Sequence, residues 1–91
     1  MQRFLIEREI PNAKDLSHAD LVEIARTSNA AVGSLGVPYE WCVSYVTEDR
    51  IFCVHDADDA ETIMEHARRG GFPANKVSAV LAEFGPHTAM G

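Results

Sequence analysis

Two helix-start signatures punctuate this chain, and the segments around them read as strands, which leaves few folds open. In Ser17-His18-Ala19-Asp20 the Ser17 hydroxyl can accept from the Asp20 amide while the Asp20 carboxylate reaches back, and Leu16 can staple onto Leu21. Asp58 with Glu61 repeats the pattern. Ahead of the first signature, Arg3 to Ile10 holds Phe4, Leu5, Ile6 and Ile10 and stops at Pro11, which cannot donate to a ladder. Between the two helices, Tyr39 to Thr47 and Arg50 to His55 are rich in aromatic and β-branched residues. Only Glu48-Asp49 separates them, so a tight hairpin is predicted. After the second helix and a Phe72-Pro73 corner, Lys76 to Phe84 alternates apolar and small residues as far as Gly85-Pro86, which predicts a fourth strand and an irregular tail.

The first helix carries Leu21, Ile24, Ala25, Ser28, Val32 and Leu35 at three-and-four spacing and ends at Gly36 and Pro38. The second carries a narrower stripe, Ala60, Ile63, Met64 and Ala67, ending at Gly70-Gly71. The order β-α-β-β-α-β is the split βαβ pattern. It predicts one α+β, ferredoxin-like domain over residues 1–91, with a four-stranded antiparallel sheet and both helices on one face. The 46% apolar content suffices for one compact core. The second sheet face then has no cover. Strict alternation would put Trp41, Val43 and Tyr45 on one side and Cys42, Ser44 and Val46 on the other, and neither set suits solvent. The economical cover is a second copy, giving a homodimer, sheet against sheet, of the dimeric α+β barrel kind.

Charge excludes some partners. Fourteen acidic against eight basic residues give a net charge of -6, which repels phosphate backbones and anionic headgroups, so neither nucleic acid nor a membrane surface is expected. No apolar run approaches the roughly 20 residues that span a bilayer, and the amino terminus does not read as a signal peptide. Cys42 and Cys53 lack the number and spacing of a disulfide scaffold. A cytoplasmic location is expected.

With Glu48-Asp49 as a two-residue loop, Thr47 pairs with Arg50, Ser44 with Cys53, and Cys42 with His55, gathering two thiols, a hydroxyl and an imidazole on one face. Such a group suits nickel, copper or zinc, but small residues also suit packing beneath helices, and free cysteine is often buried as a small hydrophobe. The other face would carry Trp41, Val43, Tyr45, Phe52 and Val54, as a dimer core or as the lining of a ligand cavity containing Trp41 and Tyr45. Glu7 sits mid-strand among apolar neighbours, where a carboxylate needs a partner, a metal, a proton or a solvated rim. His66 falls beside the second helix's stripe, as a surface or boundary histidine would, and Arg68-Arg69 suit the helix dipole there. No strong catalytic motif is present.

Four stretches together resemble a family of small bacterial proteins, the domain of unknown function 4242 family, which includes a nickel-binding actinobacterial protein. They are Phe4-Leu5-Ile6-Glu7-Arg8, Trp41 with Ser44-Tyr45-Val46-Thr47, Asp49 to Val54, and Glu65-His66-Ala67-Arg68 through Gly71-Phe72-Pro73-Ala74. The resemblance implies a ferredoxin-like dimeric barrel and bound nickel, with Glu7, Cys53 and His66 as the matched positions able to ligate it. His55 stands where the family more often has tyrosine, and the Gly85-Pro86-His87-Thr88-Ala89 tail lacks an aspartate usual before the proline. The function expected is a small metal-binding protein of the nickel type without enzymatic activity. The alternatives are an isomerase or cofactor-free oxygenase using the barrel cavity with His66 or Glu7 as base, and a structural interaction module.

Overall fold

A computed structural model describes residues 1–91. Strand β1 (Gln2–Glu9) leads through a short 3-10 turn (Ala13–Asp15) into helix α1 (His18–Ser34). The hairpin β2 (Tyr39–Val46) and β3 (Arg50–Ala57) follows, then helix α2 (Ala60–Gly70), strand β4 (Lys76–Ala79) and a closing 3-10 turn (Pro86–Met90). The strands form one sheet in the order β2-β3-β1-β4 with antiparallel neighbours. This is the expected α+β, ferredoxin-like arrangement.

The local causes are those the residues announce, with four adjustments. Ser17 makes the reciprocal cap: its hydroxyl accepts from the Asp20 amide at 3.1 Å, while the Asp20 carboxylate accepts from the Ser17 amide at 2.8 Å. The second helix is capped by Asp59 instead of Asp58: the Asp59 carboxylate accepts from both the amide and the hydroxyl of Thr62, each at 2.8 Å. Its far end closes on Gly71, whose φ of 71° lies in the left-handed region that glycine enters without strain.

Strand β3 runs on to Ala57, because β1 begins at Gln2 and supplies ladder partners that far. Strand β4 stops at Ala79 instead of Phe84. It pairs with β1 from Glu7 back to Phe4, and after one more bond from the Val80 amide to Arg3 the β1 partner runs out. Leu81 and Phe84 are consequently exposed. The fourth change is a bulge in β2. Trp41 lies opposite His55 and Val43 opposite Val54, so Cys42 is the extra residue, and the predicted pairing of Cys42 with His55 is not formed. Beyond the bulge, Ser44 does face Cys53.

The core lies between sheet and helices and contains Phe4, Ile6, Ile51, Cys53, Ala57 and Ile63. On α2 the inward residues are Ile63, His66 and Ala67, while Met64 is exposed. His66 is therefore a core residue of the helix, not a boundary one. The predicted α1 stripe does face the sheet, but only Ser28 and Ala31 on that helix are fully buried. Leu21, Ile24 and Ala25 are half-buried and stand off from the strands.

Candidate functional site

Beneath α1, against the β2 side of the sheet, lies a cavity of ≈ 290 Å³. Alternation along β1 sends Phe4, Ile6 and Arg8 to the helix side, so Arg8 is buried, with 4% of its surface exposed. Cys53 and His55 arrive from β3, Trp41 and Ser44 from β2, Ser28 from α1 and His66 from α2. A chain of hydrogen bonds crosses the floor. The Trp41 indole donates to Ser44 Oγ (2.8 Å), the Ser44 hydroxyl donates to Cys53 Sγ (3.0 Å), and Arg8 Nε donates to the same sulfur (3.4 Å). Arg8 Nη1 donates to the Pro73 carbonyl (2.6 Å), and its guanidinium lies 5.4 Å from the centre of the Phe72 ring.

The two imidazoles of this cavity are deeply buried. His66 lies between the rings of Tyr39 and Phe72, with centroids 5.1 and 5.9 Å away, and shares a 3.1 Å hydrogen bond with Ser28 Oγ through Nε2. Its Nδ1 is buried with no partner. His55 shares a hydrogen bond with the Tyr39 hydroxyl through Nδ1. Burial, then the neighbouring His66 and Arg8, pushes the His55 pKa down to about 3. Burial and then Arg8 also lower that of His66, while burial raises that of Tyr39. Both histidines are therefore neutral near pH 7.

The other face of the sheet holds a second group. Glu40, Cys42 and Asp56 offer ligand atoms that all lie within 4.8 Å of one another. The Arg3 guanidinium reaches into them, bonding Asp56 at 2.9 Å and Cys42 Sγ at 3.6 Å while also holding Glu83 at 2.7 Å. The Arg3 hydrogen bond holds the Asp56 carboxyl below its usual range. Burial, and then the Asp56 charge, pushes the Cys42 thiol up. Sequence spacing missed this trio because the expected register set Cys42 opposite His55, on the face away from Asp56, and because β3 was expected to end at His55. Glu40 and Cys42 at alternate positions, followed by Asp56 after the hairpin, were the available signal.

The residues expected to act together are divided by the sheet. Cys53 and His66 line the helix-side cavity, whereas Glu7 projects from the opposite face and is answered by Arg50 (3.6 Å) and Lys76 (4.0 Å). The structure does not bring Glu7, Cys53 and His66 into one ligand set. Trp41 and Tyr45 are likewise separated: the bulge turns Trp41 into the helix-side cavity, while Tyr45 stays on the other face, 60% exposed. Cys42 and Cys53 also lie on opposite faces, and both are free thiols.

Among solved structures, one of SCO4226 from Streptomyces coelicolor A3(2) superimposes with a TM-score of 0.76, covering 90% of this chain and 99% of that one at 13% sequence identity. At that identity the likeness establishes the shared fold. Among curated proteins none matches. The profile of the family described as "Nickel responsive protein SCO4226-like" matches residues 4–80, which include β1 from Phe4 onward, the other three strands, both helices and every residue of the two groups above except Arg3 and Glu83. The chain belongs to the nickel responsive protein SCO4226-like family.

Proposed function

We propose that this protein is a small, non-enzymatic metal-handling protein of the nickel type that works as a homodimer. The observation that carries this is the Glu40, Cys42 and Asp56 trio in a chain of a nickel-responsive family. One sulfur and two carboxylates make a mixed donor set that a borderline divalent metal such as nickel accepts. The trio already attracts a cation, since Arg3 occupies it, and Glu83 gives that guanidinium a second carboxylate when a metal competes for Asp56 and Cys42. The helix-side cavity suits a dication less well. Arg8 stands against Cys53 there, and the sulfur and imidazole donors do not converge within the same distance.

The homodimer is supported by the uncovered sheet face. Leu5, Val43 and Tyr45 are exposed there, beside half-buried Phe52 and Val54, and no element of the chain crosses them. No helix is long and apolar enough to cross a membrane. The deciding experiment is nickel titration by calorimetry, with metal analysis, on protein purified without an affinity tag. Saturable binding with a simple stoichiometry per chain is expected. No binding at micromolar nickel would overturn the metal assignment.

A further inference from the structure

Seven of the eight lysine and arginine side chains are paired with a carboxylate within 4.0 Å: Arg3, Lys14, Arg26, Arg50, Arg68, Arg69 and Lys76. The eighth is Arg8, and it is the buried one. In a chain with six more acids than bases, the single cation removed from water is the one left without an anion. Its two hydrogen-bond acceptors are the Cys53 sulfur and the Pro73 carbonyl, neither of them a carboxylate, and the Phe72 ring offsets the charge only in part. A guanidinium held this way, with the ≈ 290 Å³ cavity in front of it, is half of an ion pair.

We propose that the cavity under α1 binds a small monocarboxylate with an apolar body, its carboxylate paired with Arg8 and its body lying against Leu21, Ile24 and Val46. The walls fit this class. One guanidinium answers one negative charge, and the planar fork matches a carboxylate in two hydrogen bonds. The histidines are neutral and add no second charge, so a polyanion is not provided for. His66, whose buried Nδ1 has no hydrogen-bond partner, is among the residues around the cavity. The remaining lining is mostly apolar, and the volume lies at the lower end of small-molecule sites. This site is on the opposite side of the sheet from the Glu40, Cys42 and Asp56 trio and does not depend on metal.

Trp41, the chain's one tryptophan, lines the cavity and reports on it. The test titrates Trp41 emission with benzoate, 4-phenylbutyrate and octanoate, each beside its neutral primary amide, and measures the responding acid by calorimetry. At least one acid should bind saturably and at least tenfold more tightly than its amide. Arg8→Met should abolish that preference, and Ala25→Leu, which narrows the cavity away from the charge, should weaken acid and amide together. A wild-type protein that binds acid and amide equally, or gives no saturable response to any of the acids, overturns the proposal, as does undiminished binding by Ala25→Leu. If Arg8→Met does not fold, the acid-to-amide ratio of the wild type and the Ala25→Leu result decide it.

Discussion

The imidazoles of His55 and His66, one from β3 and one from α2, meet edge to face with ring centroids 5.0 Å apart in the interior of the domain. Protonating either would place a cation beside the other ring and beside Arg8, without water to solvate it, and both are held neutral for that reason.

Stability should therefore fall on mild acidification. In the unfolded chain both histidines take up a proton as the pH drops below about 6.5, while the folded protein refuses it, His55 down to about 3. Stability is complete above pH 6.5 and is lost below it, at about 1.4 kcal/mol per pH unit for His55, with His66 acting in the same direction. Urea unfolding at pH 7.5, 6.0 and 5.0 measures the slope. His66→Phe, which keeps the stacking with Tyr39 and Phe72 and removes one titrating group, should make it shallower, and an unchanged slope would contradict the assignment.

Nickel affinity should depend on the trio of the open face. Cys42→Ser and Asp56→Asn should each weaken nickel binding at least tenfold, because each removes one donor of three, whereas Cys53→Ser should leave it within twofold. Calorimetric titration of the three variants at pH 7.5 distinguishes the faces. Loss of binding in Cys53→Ser alone would move the site to the helix-side cavity.

Assembly should respond to the open face and not to the helices. Light scattering at micromolar concentration should give about twice the 10.0 kDa chain mass. Val43→Glu, which would leave a carboxylate desolvated between sheets, should give the monomer mass, and a stable wild-type monomer would refute the homodimer.

Helix capping gives a prediction with a built-in control. Asp59→Ala removes both bonds to Thr62 and should cost about 1 kcal/mol, while Asp58→Ala, one residue earlier and without a cap bond, should cost little. Thermal unfolding of the pair would register the difference.

Gly70 faces the Phe72 ring so closely that an added Cβ would overlap it. Gly70→Ala should therefore displace Phe72 from Arg8 and His66, and the change should show as altered histidine ring resonances with the fold retained.

What the residues determined by themselves is the order and kind of the elements. Ser17 with Asp20, the Glu48-Asp49 turn and the glycines after each helix act within a few residues, so their effects survive without knowledge of the rest of the chain. The alternation of β1 likewise implied that Arg8 and Glu7 face apart. Tertiary structure decided the sites. One bulged residue in β2 exchanged the faces of Trp41 and Cys42, and no local pattern announces a bulge whose cause is the fit of β2 to β3. The burial of His66 depended on α2 turning that side to the sheet and on Tyr39, Phe72 and Ser28 closing around it, contacts between residues far apart in the chain. The lone charge of Arg8 could emerge only once every other basic side chain had found its carboxylate, because ion pairing is settled by distances in space, and sequence order does not contain them.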